Sequence, residues 1–277
     1  MVKVDTPYII GIIREREKLF FGPDEYMRLL GASSYAAAGA TLAETSYGSV
    51  AGLTTQLEDT RAWLAGLLLQ EQAVLFMSAQ ADALNAATAL VRHRLMADDP
   101  GTLSPLGSFS LAALHSTIWH DLGWEALPLL WQSALRRARQ QERTVHERIE
   151  IAADTLHAWY RSLATTPLTL ALTAVWQERR AAEEQVRPLA IKTIGRLSSG
   201  EDSHLAAALW DLTWDVRAIS VLRRARMGVS GIDPILAFWF AKEMEVKTLR
   251  ILLAGKLAGL PTADLQQLVR PSHLHYA

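Results

Sequence analysis

The chain contains no cysteine. That one absence removes disulfides, thiolate nucleophiles and cysteine-ligated zinc or iron–sulfur sites, and it fits a reducing compartment. Neither sign of charge is in excess: 28 Lys+Arg stand against 29 Asp+Glu, a formal net charge of -1. No global field therefore draws the chain to nucleic acid or anionic lipid. Strand patterning is missing too, since no stretch alternates Val, Ile, Thr or Tyr with polar residues. Strongly apolar runs such as Ile235–Ala241 and Leu249–Leu253 are broken by charge well short of the ~18 residues a spanning helix needs. No membrane insertion is expected. Asp5 and Pro7 fall where a secretory signal requires an unbroken apolar core, so the N-terminus reads as unprocessed.

What is present points to helices. The 277 residues are 50% hydrophobic and 21% charged, with a mean hydropathy of +0.09, which is enough apolar surface to offset the entropy of folding. Ala, Leu, Arg and Glu dominate, all good helix formers. Gly22-Pro23, Asp99-Pro100-Gly101, Ser104-Pro105, Thr166-Pro167, Ser198-Ser199-Gly200 and Gly231-Ile232-Asp233-Pro234 divide them into periodic segments. Asp24 is the expected cap of a helix carrying Tyr26, Leu29 and Leu30; Gly31 breaks it and Ser33 or Ser34 opens the next. From Ser203, Leu205, Leu209, Leu212, Val216 and Ile219 form an apolar stripe, with Gly228 near its end. A last long helix carries Leu236, Phe240, Val246, Leu249, Leu253 and Leu257, pairs Glu243 with Lys247 at i,i+4, and stops at Pro261.

Chemistry-bearing motifs are scarce. Gly255-Lys256 lacks the earlier glycine and the Ser/Thr of a phosphate loop, the glycines at 31 and 39 follow no strand, and there is no Gly-x-Ser-x-Gly elbow. Glu201 and His204 have the Glu-x-x-His spacing of di-iron bundles, but no second pair accompanies them, so no metal is assigned. His146 with Glu150 reads as a solvated helix face, and His273 and His275 stand at the chain end. Trp119, Trp124, Trp131, Trp210 and Trp214 are read as packing rather than a ligand cage. The cluster Arg217, Arg223, Arg224 and Arg226 alternates with apolar residues as an amphipathic helix does, which favours a solvated or partner-facing surface over a nucleic-acid one. No catalytic residue, cofactor or small-molecule substrate is expected.

Three helical segments begin with an acid and end in a base eleven or twelve positions on: Asp82 to Arg94, Asp215 to Arg226 and Glu245 to Lys256. A structural repeat and chance similarity between Ala/Leu/Arg-rich helices both account for this. The C-terminal run from Gly231-Ile-Asp-Pro234 through Lys242-Glu-x-Glu245, Leu249-Arg250 and Gly255-Lys256 to Gly259-Leu260 resembles the closing signature of the family of C-type or d-type subunits of V-type and A-type ATPases. At the other end Tyr8, Arg14, Arg16, Glu17 and Leu19 resemble the family's opening helix, and Leu42, Thr45 and Tyr47 its Leu-x-x-Thr-x-Tyr step. Asp82 and Asn85 resemble its Asp-x-x-Asn helix, whose second copy at Asp215 has Ala218 in place of the Asn. Residues 53 to 201 are otherwise divergent.

The resemblance implies one all-α domain over residues 1–277, a funnel of three similar helical units in a pseudo-threefold arrangement. It also implies a non-catalytic rotor adaptor on the cytoplasmic face of the membrane, a socket joining the membrane rotor ring to the central stalk. Arg217, Arg224, Lys247 and Arg250 are the candidates for contacting acidic ring or stalk residues, against the plainer reading that they satisfy Glu243, Glu245 or Asp215. The divergent middle leaves an alternative open: a helical interaction scaffold derived from that family and no longer in a rotary complex.

Overall fold

The computed structural model describes residues 6–68, 70–140, 142–194 and 201–272, with the side chains of 6, 186–194 and 201–207 excepted. Every regular element among them is helical. In chain order these are α1 (Thr6–Glu17), α2 (Pro23–Gly31), α3 (Tyr35–Ala43), α4 (Gly52–Leu67), α5 (Glu71–Arg94) and α6 (Leu111–His120). After a short 3-10 turn at Trp124–Ala126 come α7 (Leu129–Ala138), α8 (Val145–Leu163), α9 (Pro167–Ile194), α10 (Glu201–Arg226), α11 (Asp233–Leu257) and α12 (Thr262–Gln267). The all-α expectation holds. The Ser198-Ser199-Gly200 break lies outside the described residues.

Local chemistry explains most boundaries. Helix α2 starts earlier than a cap at Asp24 would place it: Gly22 is the cap, and the Glu25 carboxylate turns back to accept the Gly22 N–H at 2.9 Å. Ser34 caps α3 through the Ala37 N–H, and α2 ends at Gly31 as its sequence suggests. Thr144 and Glu147 form a reciprocal cap at the start of α8.

The chain divides into two compact units, Met1–Leu67 with Thr166–Ala277, and Leu68–Thr165. In the second, α5 and α8 are close neighbours, with α6 and α7 packed beside them. Their core gathers Leu90, Leu114, Ile118, Trp131 and Leu135, and Trp124 joins it while Trp119 packs against it. Trp124 and Trp131 are core residues, and Trp119 is a partly buried packing residue. Helix α5 is, among the described residues, the one helix long and apolar enough to span a bilayer by length and composition. Nevertheless it is the central helix of this unit: fully buried Asp82 accepts hydrogen bonds from the Ser108 and Phe109 N–H groups and the Ser108 hydroxyl, and Asn85 exchanges two with Ser104. A Cβ at Gly107 would lie 2.8 Å from the Asp82 carboxylate, so the loop closes over α5 only with glycine there.

In the first unit α11 packs against α1, α3, α4, α9 and α10. Lys256 near its end donates to the Leu30 and Ala32 carbonyls at 2.6 and 2.7 Å, closing the C-terminus of α2. A Cβ at Gly255 would fall 2.2 Å from Leu265, so the glycine lets α12 lie close against α11.

One buried cation in the second unit lacks a carboxylate partner among the described residues. The Arg148 guanidinium donates to the carbonyls of Leu90, Arg139, Gln140 and Arg143 and to His93 Nδ1 at 3.4 Å. His93 must accept there, so it is neutral. Burial, then the charges of Arg148 and Arg139, hold its pKa below the ordinary value. The unfolded chain therefore binds a proton that the folded chain refuses, and stability contributed by neutral His93 is complete above about pH 6.5 and is lost as pH falls below it. Urea unfolding of the full chain at pH 7.5 and 5.5 should show a smaller drop on acidification for His93→Gln than for the parent; equal drops would contradict the assignment.

Candidate functional site

The four basic residues singled out in the sequence do not form one patch. Arg217 pairs with Glu178 of α9 at 2.8 Å and lies 4.9 Å from the Trp214 ring centroid. Arg250 donates to the Thr54 hydroxyl of α4 at 2.8 Å. Arg224 borders a groove with Leu168, Val221 and Pro234 and makes no ion pair with a described residue. Lys247 turns to α10, 2.5 Å from Asp211 and 2.9 Å from Asp215. The expected Glu243–Lys247 pair is therefore absent, because α10 offers two carboxylates to one ammonium across the helix interface.

Lys247 belongs to a larger network. Arg270, almost wholly buried, reaches Asp215 at 2.8 Å and Asp211 at 3.2 Å, while Arg179 holds Asp211 at 2.6 Å and Glu183 at 2.8 Å. Burial opposes ionisation of Asp211, but Lys247 and Arg179 outweigh it and keep the carboxyl below its ordinary pKa. Through Arg270, and through Arg223 on the Ser272 carbonyl, the segment after α12 is tied to α10.

The second cluster is the one sequence reasoning missed. The Glu245 carboxylate accepts from Lys242 Nζ at 3.0 Å, the Phe21 N–H at 2.8 Å and the Tyr47 hydroxyl. Lys242 Nζ lies 4.2 Å from the Tyr47 ring centroid and 4.8 Å from that of Phe20. Burial and the Glu245 charge push both Tyr47 and Tyr26 well above the usual tyrosine range, so both stay protonated, Tyr47 as a donor. A signal for this was present: Phe238, Lys242, Glu245, Leu249 and Leu252 follow at steps of four and three, placing two charges in the apolar stripe of α11.

Neither cluster is arranged for chemistry. The carboxylates of Asp211, Asp215 and Glu245 are saturated by donors, and the cavity beside Glu245, about 20 Å³ and bordered by Tyr26, Thr248 and Arg270, has room for about one water and no substrate. Among the described residues no three His, Asp or Glu side chains are grouped to hold a metal ion. The side chains of Glu201 and His204, and all of His273 and His275, lie outside the described residues. Trp210 and Trp214 meet edge to face at 6.0 Å, an ordinary aromatic pair. In comparison with known proteins, the chain matches no family model and no curated protein.

The charge arrangement sets the cost of losing each partner. Glu245→Ala strands Lys242 in the core and should cost about 3–5 kcal/mol, whereas Tyr47→Phe removes one hydrogen bond and should cost about 1–3 kcal/mol; urea unfolding measures both. Glu243, half-buried and left without a cation among the described residues, has its pKa pushed up to about 8 by the desolvation of its carboxyl among neighbouring side chains, and the Trp239 indole N–H, short of full hydrogen-bond geometry, tempers the rise. An acid whose folded pKa is raised contributes stability below its unfolded value and loses it as pH rises through the folded one. Glu243→Gln should therefore be more stable than the parent at pH 9 and lose that advantage at pH 5; a pH-independent difference would contradict this.

Proposed function

We propose that the chain is a non-catalytic central-rotor adaptor of a V-type or A-type rotary ATPase. In this reading it is a funnel of three similar helical units that links the membrane rotor ring to the central stalk and transmits torque during ATP-coupled ion transport. It would lie at the cytoplasmic face of the membrane, bound through the ring rather than inserted, with no cofactor of its own. The observation that carries the reading is the Glu245 cluster. The two stretches that resemble the family, Leu42 to Tyr47 and Lys242 to Glu245, are almost two hundred residues apart, yet Tyr47, Lys242 and Glu245 share one buried hydrogen-bonded site. Sequence features that separately resemble a family and then join in one packed element favour the resemblance more than either does alone.

The repeated acids add support. Asp82 holds the loop before α6, Asp215 holds Arg270 after α12, and Glu245 holds the segment between α1 and α2. Each is buried in the middle of a long helix and fixes a segment from elsewhere in the chain. An adaptor of this kind needs stiff helices and docking surfaces rather than a general base or phosphate loop.

Affinity capture of the tagged chain from detergent-solubilised membranes of its own host, followed by mass spectrometry, tests the reading. Rotor-ring and central-stalk subunits should copurify in defined stoichiometry. Recovery of the chain without them would overturn the rotor reading and favour the family-derived interaction scaffold.

A further inference from the structure

We propose that the groove around the Met227–Val229 loop is a docking site for an amphipathic protein segment whose carboxylate pairs with Arg224. Two concavities, of about 350 and 490 Å³, adjoin at Gly228. One is walled by Pro7, Ile10 and Gly11 of α1, the other by Leu168 and Ala171 of α9 and Val221 of α10. Between them Met227 and Val229 stand 65% and 78% exposed, apolar side chains held in water beside an apolar floor. A Cβ at Gly11 would meet nothing within 4 Å, so a partner's backbone can come close to α1 there.

The charge at the rim selects the occupant. Arg14 and Arg226 share the single carboxylate of Glu17, at 2.8 and 2.9 Å, and Arg14 also donates to the Arg226 carbonyl. Asp233 accepts the Leu168 N–H at 3.1 Å through one oxygen, its other oxygen being buried without a donor among the described residues, at the start of α9 and α11, where helix N-termini favour an anion. Arg224 makes no hydrogen bond or ion pair with its side chain among the described residues, and three arginines stand against the two carboxylates of Glu17 and Asp233, so the rim carries a net positive charge. Carboxylate recognition by a free guanidinium beside apolar pockets is the chemistry of an acidic amphipathic protein segment. A lipid surface suits it less, because bilayer contact is made by projecting side chains and not by a walled groove.

The proposal shares Arg224 with the rotor reading, and for the partner's identity it rests on that reading. A photoreactive benzoylphenylalanine at Val229, or at Ala171 in a second variant, is introduced into the full chain in its own host, and the crosslinked peptide is sequenced. The expected result is a segment of a different protein with apolar residues and an Asp or Glu. Arg224→Glu should lower the yield about tenfold, and reversing the mapped carboxylate to Lys in the partner should restore it. Because the exposed Arg224 side chain has no partner to lose among the described residues, Arg224→Glu should melt as the parent does, which separates lost docking from lost folding.

Crosslinks to lipid, to a second copy or to a segment without a carboxylate would overturn the proposal, as would no crosslink at either position or a yield indifferent to Arg224→Glu. A mapped partner from outside the ring and the stalk keeps the groove and removes the rotor reading. Ring and stalk subunits that copurify undiminished with Arg224→Glu, with no crosslink from Val229, remove the groove and keep the rotor reading.

Discussion

Glu245 ties the segment between α1 and α2, and Tyr47 beyond α3, to the buried middle of α11. Its two oxygens take a backbone N–H from Phe21, a hydroxyl from Tyr47 and the ammonium of Lys242, all out of water. Removing two charges from water costs about as much as their attraction returns, so the pair adds little net stability. Its effect is on alternatives. An N-terminal segment docked one turn out of place would leave Glu245 short of donors and Lys242 unscreened, a penalty of several kcal/mol for a buried ion. Apolar contacts alone tolerate such slips far better, because one leucine substitutes for another.

The same logic operates at Asp82 and Asp215. Each is an acid in the interior of a helix, and each holds atoms from a distant segment: the Ser108 and Phe109 amides and the Ser108 hydroxyl in one case, Arg270 and Lys247 in the other. The partners differ in kind. Asp82 takes neutral donors from the Ser108–Phe109 loop, whose backbone must come to it, and Gly107 is the residue that permits the approach. Asp215 takes two cations and shares them with Asp211, which makes α10 the acidic side of its contact with α11. Three acids with one role and three donor sets are what a diverged repeat would leave, since the requirement imposed by physics is a filled carboxylate and not a particular donor.

Much of the fold is legible in the sequence because helix punctuation is local. Gly31 and Ser34 end and begin helices through contacts within four residues, which a linear reading can see. The start of α2 escapes it because Asp24 is a good cap in isolation, while the carboxylate that accepts the Gly22 N–H belongs to Glu25, one position on. Glu243 and Lys247 escape it for a different reason. The i,i+4 rule describes an isolated helix, and α10 outbids it with two carboxylates, a contact spaced more than thirty residues away in sequence. The candidate site suffers most from this. Among Arg217, Arg224, Lys247 and Arg250, side-chain type gives no indication of which cation finds an intramolecular partner.

That distinction decides what each can offer a binding partner. Lys247 cannot leave Asp211 and Asp215 without unbalancing a partly buried network, so a second protein would have to replace what it removed. Arg217 and Glu178 are both more than half exposed, and exchanging one exposed ion pair for another changes the free energy by less than about 1 kcal/mol. Such a residue steers an approaching acidic surface more than it holds it. Arg250 would give up only a hydrogen bond to the Thr54 hydroxyl, whereas Arg224 has no side-chain partner among the described residues and stands beside apolar walls that lose water when covered. In the proposed docking, register and residence would belong to the groove, where burial and charge act on the same occupant, and the scattered cations would contribute only to the rate of encounter.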